Sequence, residues 1–297
     1  MKSKNKLRCP QCQTNTTLTL PTLNQKFHIL YCNNCFLGFT YPVPKNIGKY
    51  YSDIYWKSPG VTGILKEMLY QLFQARRKKW VKKYLSTGKI LDIGSGEGIF
   101  GRSLSNQFKV INLDIPGAEI KNPDVIKKDF IKWQIKQKFD AVVFWESLEH
   151  ISNSAEYIKK ASSLLNKNGL IMIEFPRYNS LESKIFSKYW FHLDPPRHLS
   201  HLTIKGLIKV LKNNNLKILS CQSVIAPEYS LGGFVASILA VLRINTSALF
   251  KKNVSLLYLV IASPILMIVL LWQIFLYLIN QSPIGLIIAK NKKEKNY

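Results

Sequence analysis

Apolar and polar positions divide the chain into segments of different period. Over 63–85, Ile64, Leu65, Met68, Leu69, Leu72, Trp80, Val81 and Leu85 recur at three-to-four spacing among cations, which predicts an amphipathic helix. Two short β-rich runs, 16–20 and 27–31, precede it. After it, 89–93 reads as a buried strand, 99–108 takes a helical pattern, and Val110-Ile111-Asn112-Leu113 makes a second apolar strand. The last third is different. No Asp, Glu, Lys, Arg or His falls between Asn253 and Ala289. The almost continuously apolar run 256–279, at about 1.5 Å per residue, is long enough as a helix to match a hydrocarbon layer of about 30 Å. A shorter apolar stretch, 231–242, comes before it, set apart by Arg243, Asn245, Thr246, Lys251 and Lys252.

Composition narrows the class. The 297 residues, 47% hydrophobic and 20% charged, suffice for one large domain or two ordinary ones and exclude a wholly disordered chain. A net charge of +25 favours anionic partners such as phosphates or acidic lipids. Lys, Asn and Ile are abundant even in segments that look structural, so the charge argues only weakly for nucleic acid, which is not expected as a partner. The N-terminus opens on charge with no apolar run before its cysteines, so the reducing cytoplasm is the expected compartment and disulfides are not.

Cys9-x2-Cys12 and Cys32-x2-Cys35 have the spacing of a zinc ribbon. Two such knuckles close a four-sulfur tetrahedron around a structural Zn2+, with the runs at 16–20 and 27–31 as its strands. Four free thiols are the alternative. The lone Cys221 is expected in the core. Residues 41–60, with Pro42, Pro44, Gly48, Pro59, Gly60 and five Tyr or Trp, read as an irregular connector packed by aromatics.

Asp92-x-Gly94-x-Gly96-x-Gly98 follows the first strand, and Asp114 closes the second, about twenty residues on, where a carboxylate can accept both hydroxyls of a ribose. Glycines there let a ligand approach the backbone and permit conformations that a Cβ opposes. On these residues the chain resembles the class I S-adenosylmethionine-dependent methyltransferases, within the broad group that includes ubiquinone and menaquinone biosynthesis enzymes. The resemblance covers roughly 60–225 and resumes at the tail. It implies a doubly wound, Rossmann-like α/β fold with a seven-stranded sheet, in which 139–146, 169–176, 216–224 and 284–290 are the fourth to seventh strands. It implies further that Asp92, Gly94, Ser95, Gly96, Gly98 and Glu146 line the cofactor, that Asp114 holds its ribose, and that Asp129 and Phe130 lie near its adenine. A dinucleotide site would instead open G-x-G-x-x-G, and Glu97 would set a carboxylate beside the pyrophosphate.

Two further clusters carry candidate chemistry. Glu146-Ser147-Leu148-Glu149-His150 brings two acids and an imidazole together if the segment turns helically, and Mg2+ at Glu146, Glu149 and His150 is one reading, by similarity to the O-methyltransferases of ubiquinone synthesis. The other reading is that Glu149-His150 simply begins the next helix. Three of the five histidines fall within 192–201. A loop there, fixed by Pro195 and Pro196 over the strand ends, would make His192, Arg197 and His198, with His150, the substrate-side residues, and a histidine could serve as general base. The alternative has His198 capping a helix that begins near Thr203 and His201 exposed.

If the last two strands pair, the apolar insertion must leave and return on one side of a bilayer. It is expected as a hairpin broken near Ser263-Pro264, or as two helices lying in the interface, with Lys251, Lys252, Lys290, Lys292, Lys293 and Lys295 facing anionic headgroups on the cytoplasmic side. A dimer interface or an extra core layer would also use such a surface. The expected organisation is a zinc ribbon (1–40), a connector and helix (41–88), a methyltransferase core (89–225), an apolar insertion (226–282) and a last strand with a basic tail (283–297). The expected activity is methyl transfer to an oxygen or carbon of a membrane-associated, lipid-linked small molecule by an enzyme attached peripherally or monotopically to the inner membrane face. An RNA methyltransferase and a non-catalytic membrane adaptor are the alternatives.

Overall fold

A computed structural model describes residues 7–16, 18–50, 61–104, 106–244 and 256–292. At the N-terminus β1 (Leu18–Pro21), β2 (His28–Cys32) and β3 (Leu37–Tyr41) form an antiparallel meander. Of the connector, 47–50 is a turn of 3-10 helix, Tyr50 packs edge-on against Phe27, and 51–60 lie outside the described residues. Helix α1 (Val61–Tyr84) follows at the predicted place.

The main sheet contains β4 (Gly88–Ile93), β5 (Phe108–Asp114), β6 (Val125–Lys127), β7 (Phe139–Trp145), β8 (Leu165–Pro176), β10 (Leu216–Ser223) and β11 (Ile284–Asn291), in the order β10-β11-β8-β7-β4-β5-β6. Five adjacent strands, β8 to β6, are parallel, and their central members are apolar on both faces because helices cover both. β11 runs antiparallel to both its neighbours. This is the doubly wound seven-stranded arrangement expected. Helix α2 (Ile99–Leu104) is shorter than the predicted 99–108, because Phe108 already pairs with Gly88 as the first residue of β5.

Three more helices pack on the sheet or its C-terminal end: α3 (Ser154–Ser163), α4 (Leu181–Phe186) and α5 (Ile204–Asn213). Asn153 and Thr203 cap α3 and α5, each accepting a backbone N–H three residues on. His198 is therefore not the cap of α5. The insertion forms two helices, α6 (Pro227–Val241) and α7 (Leu256–Leu278), packed together with Phe234 against Trp272. Helix α7 runs unbroken through Ser263 and Pro264. Proline removes one backbone donor, and the rest of the ladder persists on either side. Where the insertion begins and where it ends are bonded together: Val224 N–H donates to Ile284 O at 3.1 Å and Ser223 N–H to Asn280 Oδ1 at 2.8 Å. Among the residues whose side chains are described, no helix is long and apolar enough to cross a membrane.

The ribbon is welded to this core. Residues Ser200–His201 form β9, which pairs with β3 as the fourth strand of the ribbon sheet. Gln11 bonds Ser152 O and Ala155 N at the start of α3, and Thr203 Oγ1 donates to Phe36 O at 2.6 Å. Cys9, Cys32, Cys35, Leu37 and Phe39 share one hydrophobic cluster with Leu202, Leu207 and the sheet. Cys221, half-buried on β10, packs against the same cluster.

Candidate functional site

The C-terminal end of β4 opens into a turn in which Gly94, Gly96 and Gly98 have φ of +75°, +53° and +68°, all in the left-handed region that a side chain resists. Gly94 has a second reason to be glycine, since a Cβ would collide with Ser147, whose hydroxyl bonds Ile93 O at 2.6 Å. At Gly96 a Cβ would meet nothing within 4 Å. The space above that turn is open, and Asp114 Oδ2 fixes its rim by accepting from Gly96 N–H at 2.8 Å. Asp129 accepts from the amides of Ile131 and Lys132, while the Phe130 ring is buried beside Tyr157, so only the backbone of Phe130 can face a ligand. Glu97 is occupied by the amides of Lys121 and Asn122.

Acids crowd the strand ends beside this turn. Asp92, Glu149 and Glu174 are buried, and Glu146, half-buried, sits at φ +53° immediately after β7. Their cations come from α1. Arg76 Nη2 meets Glu174 Oε2 at 2.9 Å, and Arg77 meets Glu174 Oε1 at 2.7 and 3.0 Å. Burial alone would raise the Glu174 carboxyl, but these two guanidinium groups hold it below its ordinary value. The others lack such partners. Burial pushes Asp92 up to about 7 and Glu149 up to about 8, and burial together with Glu149 and Glu174 pushes Glu146 well up. Buried Asp92 Oδ1, Ser95 Oγ, Glu146 Oε1 and Glu149 Oε2 have no hydrogen-bond partner among the described residues. Uncompensated acids and orphaned acceptors in a chain of net charge +25 suit a cationic ligand.

Residues 187–201 run over the strand ends as 3-10 turns that lead into β9. The loop is closed. His192, His198 and His201 are buried, which lowers His192 to about 4, His201 to about 3 and His198 well below the ordinary histidine range. Burial likewise lowers His150 to about 4. His201 is thus not exposed: Thr40 Oγ1 lies 2.9 Å from its Nε2 and donates to His198 O at 2.6 Å. Arg197 binds Asp194 Oδ1 at 2.8 Å, and His192 packs on Gly233 of α6.

The pattern of the methyltransferase-domain family matches residues 65–221, more than half of the chain. The chain belongs to that family. It is 28% identical to a ubiquinone biosynthesis O-methyltransferase of Pelagibacter ubique over 176 residues, 52% of this chain and 70% of that one. It is 23% identical to an (S)-tetrahydroprotoberberine N-methyltransferase of Eschscholzia californica, over 43% of this chain and 39% of that one. A crystal structure of a SAM dependent methyltransferase from Archaeoglobus fulgidus superposes with a TM-score of 0.49 at 19% identity, covering 78% of this chain and all of that one. The protein is a class I S-adenosylmethionine-dependent methyltransferase.

In this methyltransferase the turn brings together Gly94, Ser95, Gly96 and Gly98 with Asp92, Asp114 and Glu146, and the open space over Gly96 fits a cofactor that carries both a sulfonium and an ammonium. The four ribbon cysteines converge, with ligand atoms within 4.8 Å of one another and Cys9–Cys35 and Cys12–Cys32 sulfurs 3.5 Å apart. Sulfurs bound tetrahedrally at about 2.3 Å stand about 3.8 Å apart, so the cage fits Zn2+. The thiol of Cys35 stabilises a Cys9 thiolate, which lowers Cys9 to about 5.

The Mg2+ set Glu146, Glu149 and His150 is corrected. The ligand atoms that converge here belong to Glu149, His150 and His198, because 148–150 turns as a 3-10 helix towards the histidine loop while Glu146 stays at the strand end. Sequence reasoning missed Arg76, Arg77 and Glu174. Nothing in the spacing of the α1 cations sets Arg76 and Arg77 apart, and Glu174 falls inside an apolar strand.

Proposed function

We propose that this methyltransferase transfers the methyl group of S-adenosylmethionine to an oxygen or carbon of a membrane-associated small molecule of the isoprenoid, quinone-like or lipid-linked sugar class. It would act while attached peripherally to the inner face of a membrane, with Zn2+ in its ribbon. One observation carries the reading. Val269, Gln273 and Leu276 of α7 turn inward, and the opposite face, which an ordinary helix keeps polar, is apolar: Ile268 is 67% and Leu278 73% exposed, beside exposed Met267, Leu271 and Phe275. Val241 at the end of α6 and Leu242 just after it are exposed as well. The two helices lie at the C-terminal end of the parallel strands, the end that holds the glycine turn, so a lipid's polar head would reach the cofactor without leaving the bilayer surface.

Two of the lysines expected to face headgroups, Lys290 and Lys292, lie away from this surface. Lys290 pairs with Lys217 at the far end of β11, and Lys292 follows it, about 20 Å along the strand from the apolar helices. Lys251, Lys252, Lys293 and Lys295 lie outside the described residues. Apolar burial therefore supports the attachment more than charge does. An oxygen acceptor is further supported by the likeness to a ubiquinone biosynthesis O-methyltransferase.

Membranes from cells lacking the gene, incubated with the purified protein and methyl-labelled S-adenosylmethionine, test the reading. Label is expected in the lipid extract. Label in RNA or protein would replace the proposed acceptor class, and no label in any fraction would favour a non-catalytic adaptor.

A further inference from the structure

The glycine turn and the segment after β5 are tied together by two carboxylates that cross in opposite directions. Asp114, the last residue of β5, reaches back to the turn: its Oδ2 accepts from Gly96 N–H and its Oδ1 from Ile115 N–H, each at 2.8 Å. Glu97, in the turn, reaches forward. Its Oε1 accepts from Lys121 N–H at 3.0 Å and its Oε2 from Asn122 N–H at 3.1 Å, while its backbone carbonyl accepts from Asn122 Nδ2 at 3.0 Å. The two segments are close-fitting here, since a Cβ on Gly98 would stand 3.3 Å from Asn122 Nδ2.

Residues 115–124 need such a tie. Pro116 and Pro123 carry no N–H, and beyond the loop's own turns and the strands at its two ends, its hydrogen bonds among the described residues run to Glu97. The loop also lies where the nucleoside half of the cofactor is expected. It starts beside Asp114, the expected ribose holder, and its Pro116 lines one cleft of about 470 Å³ with Asp129, the residue expected near the adenine. A loop that must meet a ligand in one conformation binds it more tightly when held there beforehand, because the ordering entropy is not lost on binding.

We propose that Glu97 is a positioning residue for methyl transfer: by accepting the amides of Lys121 and Asn122, it holds 115–122 as the wall of the adenosine half of the S-adenosylmethionine site. Hydrogen bonds to an ionised acceptor are the stronger kind, and loss of the carboxylate weakens both at once. Glu97 touches no reacting atom in this role. The inference rests on the glycine turn as the cofactor's seat, but the tie itself is read without cofactor, so the two can fail apart.

Hydrogen exchange of the full chain, with Zn2+ in its ribbon and no cofactor, is followed at the amides of Lys121 and Asn122. Calorimetry then measures S-adenosylmethionine and 5′-methylthioadenosine, which keeps the adenosine half and lacks the amino acid. In the wild type, where no variant has to fold, both amides should be protected before cofactor is added. Glu97→Gln leaves one acceptor and turns a donor towards the second amide, so exchange at both should quicken by about tenfold and both ligands should weaken by about tenfold. Glu97→Asp, which keeps the charge but is one methylene too short, should behave likewise. A bond that served folding alone would shift the unfolding midpoint and leave both affinities where they were. Unprotected amides in the wild type, unchanged affinities in Glu97→Gln, or a loss seen with S-adenosylmethionine and absent with 5′-methylthioadenosine would each overturn the proposal.

Discussion

The glycine turn and the histidine loop face the same end of the sheet and are built in opposite ways. The turn is open: its key contact, Gly96 N–H to Asp114, joins residues eighteen apart, and its buried acids outnumber the nearby cations. The loop is closed, and its backbone is fixed by contacts such as Thr40 to His198, 158 residues apart. A site that must admit a charged cofactor keeps empty space and unpaired acceptors, at a cost in stability. A segment that must hold side chains in one arrangement is over-determined by bonds to distant elements.

The largest effect should come from filling the open region. Gly96→Leu places a side chain where nothing now lies within 4 Å, at φ +53°, which costs about 1–2 kcal/mol of backbone strain. Calorimetry should show S-adenosylmethionine binding weakened by about a hundredfold or more, equivalent to about 3 kcal/mol, with the chain still folded by circular dichroism. Unchanged cofactor affinity would mean that the space over the turn is not the binding site.

That contrast also explains what the sequence disclosed. The turn was legible because Asp92, Gly94, Gly96, Gly98 and Asp114 lie close along the chain on a strand, a turn and the next strand, and each residue type is demanded by local backbone geometry. β10, β11 and the four-cysteine cage could be read for similar reasons. The rest depends on pairs far apart in sequence. Nothing in Thr40 marks it as the partner of His198 and His201, and Arg76 and Arg77 look like any cations on an amphipathic helix until Glu174 is found beneath them. β6 has only three residues and the two-residue β9 exists only because β3 offers it an edge, so neither carries a periodic signal.

A smaller effect separates the two regions by pH. Burial holds Asp92 at about 7, with Asp114 raising it further and Arg77 opposing. Its folded value lies above the unfolded one, so its contribution to stability is complete below about pH 4 and is lost as pH rises through about 7. A sulfonium or ammonium favours the ionised carboxylate, so binding expels the proton. Affinity for S-adenosylmethionine should rise about tenfold between pH 6 and pH 8, with proton release near pH 6 visible as a dependence of the calorimetric heat on buffer ionisation enthalpy. Asp92→Asn should flatten that part of the profile. A profile that stays equally steep in the variant would assign the proton to Glu146 or Glu149 instead.

The smallest effect tests whether the closed region serves chemistry or only folding. Thr40 Oγ1 donates to His198 O and lies beside His201 Nε2, both buried. Thr40→Val keeps the shape and removes the hydroxyl, leaving a buried carbonyl with one donor fewer, a loss of about 1–3 kcal/mol by chemical denaturation. A purely structural bond would lower stability and nothing else. The variant should also lower turnover, which depends on the loop's geometry, while S-adenosylmethionine affinity stays unchanged, since among the described residues no bond of the glycine turn involves the ribbon. Thr40→Ser, which restores the donor, should recover both stability and turnover. If stability falls and recovers while turnover never moves, the ribbon supports the loop without setting its geometry, and the two ends of the site are independent after all.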